Sequence, residues 1–223
     1  MDEDESQLSR RLAAELETLA PRASTRVPTS AQVDVTSGVW RRAGGERTVL
    51  LTASLLFGMR EGWGDQAAAR FYHCGRNWGQ ELALRLEAEA RRRFSSAALE
   101  APAEDMLRLC DEILAGEGWG RLAFDFGRRE AGLVEARIEN SACAESFGDL
   151  GRPGCHLYAG MLAGLVSVYA RRDLEACEIA CRCAGAERCH FVLGRADRLQ
   201  PVETWLADGC GPAQILERLM QAG

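Results

Sequence analysis

The sequence lacks lysine, so all 27 of its strongly basic residues are arginines, and these are outnumbered by 33 acidic residues. The resulting net charge of −6 argues against nucleic acid as a direct partner, because binding to phosphate backbones requires a basic face. The sequence also lacks an apolar run of the length that spans a bilayer, since the longest candidate, 157–170, is too short. We therefore expect no membrane span.

The first residues lack the positive charge of a secretory leader or a transit peptide, since Met1 is followed by Asp-Glu-Asp-Glu. We therefore expect the protein to be cytoplasmic. In that reducing compartment its nine cysteines should not form disulfides, and they serve either as buried apolar residues or as metal ligands. Five of them lie between Cys155 and Cys189, which favours a metal site in that segment.

Apolar periodicity predicts helices at the start of the chain, then two strands, one helix, two more strands and closing helices. The predicted helices are 5–20, 46–60, 66–92, one after Pro102, 155–170, and two short ones after Gln200 and Gly211; 32–42 is a short strand or hairpin. The predicted strands are 121–126, 133–138, 175–180 and 190–193, the last two forming a hairpin. This order predicts an α+β fold with a four-stranded, mostly antiparallel sheet packed with helices.

The cysteine-rich segment offers four side chains for one metal ion. Cys155 begins the apolar helix, and Glu178, Cys181 and Cys189 lie on the hairpin, so packing of the helix across the sheet would bring them together. Four such ligands suit tetrahedral zinc, and thiolates favour zinc over magnesium or calcium. Spacing alone leaves open both a core of unliganded cysteines and four competing ligands: Cys177, Cys183, His156 and His190.

The same segment resembles the 4-vinyl-reductase domain. The motifs are Pro153-Gly-Cys155, Gly160-Met-Leu-Ala-Gly164 and Glu178-Ile-Ala-Cys181-Arg-Cys-Ala-Gly185-Ala-Glu-Arg-Cys189-His-Phe. That family includes bacteriochlorophyll 4-vinyl reductases, predicted hydrocarbon-binding proteins and the sensor domains of phenol- and xylene-responsive activators. The resemblance divides the chain into an N-terminal helix and extension (1–45), a ligand-binding domain (46–195) and C-terminal helices (196–223).

The resemblance implies a structural zinc ion held by Cys155, Glu178, Cys181 and Cys189. It also implies a fold similar to that of vesicle-tethering (TRAPP-like) subunits, with helices on one face of the sheet, and a homodimer. The phenol sensors bind their ligand with a histidine and a tryptophan, but no histidine lies between His73 and His156, so that pair is not preserved here. No ATPase or helix-turn-helix segment follows, so we expect a separate domain rather than a complete activator.

Our leading hypothesis is a zinc-stabilised module that binds a small apolar, aromatic or tetrapyrrole-like molecule as a sensor or carrier. Trp119, Phe124, Tyr158 and Leu162 are the predicted lining of its pocket. One alternative is a chlorophyll-pathway 4-vinyl reductase or porphyrin-handling accessory protein, although no flavin or nicotinamide motif supports an enzyme. The other alternative is a dimeric scaffold for a protein partner.

Overall fold

The structure is a computed structural model that describes residues 32–42, 45–49, 51–94 and 102–221. The predicted helix at 5–20 lies outside these residues. The chain divides into two compact units, Met1–Val49 and Leu50–Gly223. Among the described residues of both units, no helix combines the length and apolarity needed to cross a membrane.

The first unit contains a small antiparallel sheet of strands β1 (Gln32–Asp34), β2 (Val39–Arg41) and β3 (Arg47–Thr48), in that order. The segment predicted as a strand or hairpin is a hairpin. The Oδ1 atom of Asp34 accepts a hydrogen bond from the Thr36 N–H at 2.9 Å, and this interaction closes the turn. The prediction of a helix from residue 46 is wrong at its start, because β3 pairs with β2.

The second unit contains the predicted alternation of helices and strands. In chain order its elements are α1 (Ala53–Trp63), α2 (Ala67–Phe94), α3 (Ala103–Gly116), β4 (Arg121–Asp125), β5 (Val134–Glu139), α4 (Ala142–Phe147), α5 (His156–Ala170), β6 (Glu175–Ala180), β7 (Cys189–Gly194), α6 (Ala196–Leu199), α7 (Val202–Ala207) and α8 (Pro212–Gln221). Strands β4 to β7 form one antiparallel sheet in the order β4-β5-β7-β6. The predicted α+β class and four-stranded sheet are confirmed.

Both faces of this sheet are covered. On one face, Ala136, Ile138 and Phe191 join the main core with α2 and α5. On the other face, Ile179 and Val192 pack in a second cluster with residues of α6, α7 and α8. The sequence shows the reason in β7, where every residue except His190 is buried, as expected for a strand with apolar layers on both sides. The implied arrangement of helices on a single face is therefore incomplete.

Helices α2 and α5 approach each other closely through glycines. Gly75 and Gly79 lie on α2, and Gly160 and Gly164 lie on α5. A Cβ atom added to any of the four would overlap a backbone carbonyl oxygen of the opposite helix. The Gly160-x3-Gly164 motif therefore fixes the distance between the two helices.

Polar side chains hold α2 to the start of β6. The Arg76 guanidinium donates to Glu175 Oε1 at 2.8 Å and to Asp173 Oδ1 at 2.5 Å. The Tyr72 hydroxyl donates to the Glu175 carboxylate and accepts from the Ala176 N–H at 3.2 Å. Because the groups are partly buried, these charge-assisted bonds add to the apolar packing of the same helix.

The sequence pattern missed one short helix. Residues of α4 follow Ser141, whose Oγ atom accepts a hydrogen bond from the Ala144 N–H at 3.0 Å as an N-cap. The helix is too short for apolar periodicity to be visible, so the segment was expected to be a loop. The C-terminal region likewise contains α6 in addition to the two helices predicted there.

We expect Gly160→Ala to lower the free energy of unfolding by at least about 1–3 kcal/mol, because the added methyl group meets the Tyr72 carbonyl of α2. Gly58→Ala on α1 is the control, since a Cβ there has open space, and it should stabilise the protein by up to about 0.5–1 kcal/mol. Urea unfolding of both variants provides the measurement. Equal effects of the two substitutions would contradict the glycine contact.

Candidate metal centre

Cys155, Glu178, Cys181 and Cys189 form one buried group in the structure. Cys155 immediately precedes α5, Glu178 lies in β6, Cys181 follows β6 directly, and Cys189 is the first residue of β7. Their ligand atoms all lie within 4.8 Å of one another. The structure therefore brings together the four residues that the sequence analysis named.

The sulfur positions match what tetrahedral coordination requires. Cys155 Sγ lies 3.5 Å from Cys189 Sγ and 3.8 Å from Cys181 Sγ. With zinc–sulfur bonds of about 2.3 Å, tetrahedral geometry separates two sulfurs by about 3.8 Å. The group is thus close to the size of a coordination shell before any ion is added.

The Glu178 carboxylate is only half satisfied by the protein. Its Oε2 atom accepts a hydrogen bond from the Cys155 N–H at 2.9 Å. Its Oε1 atom is buried and has no hydrogen-bond partner among the described residues. Because a buried carboxylate oxygen without a partner is unfavourable, this atom is suited to accept a metal ion.

A bulge in β6 directs Glu178 toward α5. The pairing of β6 with β7 shifts between Glu178 and Ala180, so one extra residue stands on β6. Ile179 consequently packs into the second core cluster, while the carboxylate of Glu178 reaches Cys155. Neither the bulge nor its effect on side-chain direction is visible in the sequence pattern.

The turn between β6 and β7 shapes the rest of the site. It contains one 3-10 turn, Arg182–Ala184, followed by Gly185 in the left-handed region at φ +84°. The Cys183 N–H donates to Cys181 Sγ at 3.3 Å. Backbone N–H groups of a tight turn are typical donors to metal-bound thiolates, and they disperse the negative charge on sulfur.

Burial and mutual contact shift the proton affinities within the group. Removal from water raises the pKa of the Glu178 carboxyl well above its usual value of 4.5. Hydrogen bonding with Cys181 raises the pKa of the Cys155 thiol, and the same contact lowers the pKa of Cys181. Full ionisation of all four groups therefore requires a cation among them.

The four competing ligands lie elsewhere. Cys177 packs against the second core cluster, and Cys183 is buried in the turn rather than on a strand with Cys181. The His190 Nε2 atom lies 2.8 Å from Glu135 Oε2, and His156 lines a neighbouring cavity. None of these four belongs to the group of ligand atoms found among the described residues.

Glu135 is a functional candidate that the sequence analysis missed. Its carboxylate is almost fully buried on β5 and contacts Arg128, Arg137 and His190. Arg137 and His190 also line a depression of about 550 Å³. Three basic partners balance the buried charge, so this carboxylate orients its neighbours and leaves little charge for a ligand.

The predicted pocket residues lie in the main core. The Tyr158 hydroxyl donates to the Trp119 carbonyl, and the two rings are perpendicular with centroids 6.2 Å apart. Leu162 is buried, and Phe124 packs against the same core and beside Phe126. Neither of the two cavities described for this structure is lined by any of the four residues, so their role in ligand binding stays a prediction.

A cavity of about 290 Å³ opens next to the metal group. Gly154 and His156, the two neighbours of Cys155, both line it. The rest of its wall comes from the end of α1, the start of α2 and the loop before α5. The sequence pattern could not reveal this cavity, because its residues come from segments far apart in the chain.

Residues 134–195 match the family model of the 4-vinyl-reductase domain, and all four residues of the metal group fall inside that segment. This match confirms the predicted family resemblance. A search of the curated proteins finds no match to the chain.

Among solved structures, the phenol-responsive sensory domain of the transcription activator PoxR, with phenol, is similar at a TM-score of 0.62 and 19% identity; the match covers 84% of this chain and 98% of that chain. A vinyl-4-reductase family protein from Methanocaldococcus jannaschii gives 0.42 and 17%, over 57% and 68% of the two chains. A trafficking protein particle complex subunit 3 from Naegleria fowleri, covalently bound to palmitic acid, gives 0.43 and 12%, over 63% and 88%. The sensory domain therefore shares the fold of this chain.

We expect Cys189→Ser to remove bound zinc from the purified protein and to lower its melting temperature, because metal binding contributes directly to folding free energy. Cys74→Ser is the control, since Cys74 is exposed on α2 outside the group, and it should retain the metal. Elemental analysis and thermal unfolding of both variants are the measurements. Equal zinc contents in the two variants would rule out this site.

We expect stability to depend on pH with opposite signs in the metal-free and metal-loaded protein. Without metal, the raised pKa of Glu178 means that the folded state holds a proton that the unfolded state releases above about pH 4.5, so this group destabilises the fold as pH rises. With metal bound, falling pH lets protons displace the ion, so stability is lost in the acid direction.

Glu178→Gln tests this dependence, because glutamine cannot ionise. In metal-free protein at about pH 8, urea unfolding should find the variant more stable than the natural sequence, and near pH 4.5 the two should be similar. A metal-free natural sequence that is as stable as the variant at both pH values would contradict the prediction.

Proposed function

We propose that this chain, whose residues 134–195 match the 4-vinyl-reductase domain, is a zinc-stabilised module that binds a small apolar or aromatic molecule and acts as a sensor or carrier. The observation that carries the proposal is the buried group of three thiols and one carboxyl group with ligand atoms within 4.8 Å. Its donor set and its burial are typical of a structural metal site in a small ligand-binding domain.

Zinc is the proposed ion because three of the four ligands are thiolates, which bind zinc in preference to magnesium or calcium. Four protein ligands complete a tetrahedral shell and leave no open position for water, so we assign the ion a structural role. The otherwise unpartnered Glu178 Oε1 atom supports its inclusion as the fourth ligand.

The proposed ion would join three points of the fold: the end of β6, the start of β7 and the start of α5. Tyr158 and Leu162 lie one and two turns along α5 from that anchor. Fixing the start of α5 on the sheet would therefore fix the aromatic side of the proposed ligand pocket.

An aromatic or apolar ligand is favoured by the side chains around Trp119. Trp78, Trp119 and Tyr158 form a cluster with ring centroids between 4.7 and 6.2 Å apart, close to Phe124 and Leu162 in the main core. Surfaces of this composition recognise ligands mainly by apolar contact, with few polar groups to orient them. The similar fold of a sensory domain that is described with phenol supports the same ligand class.

We further propose a homodimer in the cytoplasm. Leu51, Leu55 and Phe57, next to and on α1, are between 44% and 49% exposed, and apolar side chains clustered in this way are suited to an interface. A reducing compartment would keep the cysteine ligands available for zinc. Sedimentation equilibrium of the purified chain tests the dimer.

We expect saturable binding of toluene or phenol, followed by tryptophan fluorescence, and an affinity about five- to tenfold weaker in Trp119→Leu, because one aromatic contact is lost. Trp205→Leu is the control, since Trp205 packs in the second core cluster on the other face of the sheet.

Titration with protoporphyrin, followed by absorbance, separates the alternatives. Saturable porphyrin binding without binding of single-ring compounds would favour a tetrapyrrole-handling protein. A protein that binds none of these probes would contradict the proposed function and favour a scaffold.

A further inference from the structure

The cavity beside Cys155 combines an apolar floor with donor groups. Phe71 is buried in its wall, between the rings of Trp63 at 4.9 Å and Phe147 at 5.5 Å. Leu150 and Pro153 add further apolar surface. None of these residues is among the predicted pocket residues, so this cavity is separate from the aromatic cluster around Trp119.

Two arginines reach the cavity in different states. The Arg60 guanidinium is partly buried, lies over the Phe147 ring at 5.9 Å and pairs with Glu61 at 2.8 Å. The Glu61 side chain is 57% exposed, so water weakens that pair and leaves Arg60 able to bind a second anion. Arg152 forms no ion pair with any carboxylate of the described residues.

The inner polar groups of the cavity are hydrogen-bond donors. The half-buried His156 ring makes no hydrogen bond to another described residue. The cavity also includes the first residues of α2 and α5, whose backbone N–H groups carry the positive ends of the helix dipoles. The two acidic residues of the wall, Glu61 and Asp65, are exposed at its rim.

We propose that this cavity is a second ligand site, and that it takes a small aromatic carboxylate. The ring would lie on Phe71, Leu150 and Pro153, and the carboxylate would accept hydrogen bonds from Arg60, Arg152 and His156. A guanidinium matches a carboxylate with two parallel donors. The volume of about 290 Å³ is at the lower end of the range for ligand pockets, which limits the occupant to a single ring.

Calorimetric titration of the full chain with benzoate tests the proposal. We expect saturable binding that becomes about tenfold weaker in Arg152→Gln and in Arg60→Gln, because each loses a charge-assisted hydrogen bond. Arg152 is exposed, so its replacement should leave the fold intact, which a melting curve checks. Arg91→Gln, at the far end of α2, is the control and should bind benzoate like the natural sequence.

Matched probes define the ligand class. Acetate lacks the ring, benzyl alcohol lacks the charge and benzylamine reverses it, and each should bind at least about tenfold more weakly than benzoate. Trp63 fluorescence should respond to benzoate, because its ring contacts Phe71. Toluene binding at the aromatic cluster should be the same in Arg152→Gln and in the natural sequence, so a failure at one site is distinguished from a failure at the other.

Three results would overturn the proposal. Benzoate could fail to saturate, it could bind Arg152→Gln and Arg91→Gln with equal affinity, or benzylamine could bind as tightly as benzoate. The last result would assign the cavity to a cation held by Glu61 and Asp65.

Discussion

Three thiols and a carboxyl group buried within 4.8 Å of one another form the interaction on which the rest of the second unit depends. Removal from water opposes their ionisation, and the protein supplies hydrogen bonds from the Cys155 and Cys183 backbone but no buried cation among the described residues. A divalent ion would resolve this conflict, because it converts mutual repulsion of ligands into shared attraction. The ends of two strands and one helix would then become a single rigid joint.

The position of Cys155 does not depend on the metal group alone. Helix α5 follows Cys155 directly, and it is placed by the glycine contact with α2. Helix α2 is in turn held to the first residues of β6 through Arg76 and Glu175. Packing and ion pairing therefore deliver the first cysteine to the hairpin that carries the other ligands, so the site is largely assembled by the fold itself.

The sequence predicted the sheet well because strand alternation is a local property: 175–180 was predicted as a strand and β6 has the same bounds. The ligand set came from the family resemblance, since spacing alone left Cys177 and His190 open. The bulge at Ile179 and the burial of Glu135 could not be predicted, because each depends on pairing with a neighbouring strand. The cavity joins Arg60 to Arg152, a contact that no local pattern encodes.

The second core cluster bears on where this domain can be cut. The family match ends at residue 195, yet Leu199, Val202 and Ile215 beyond it cover Ile179 and Val192 on the sheet. A fragment trimmed to the matched segment would expose that apolar surface to water and favour aggregation. The boundary of sequence similarity and the boundary of the folding unit are therefore different, and recombinant fragments need the C-terminal helices.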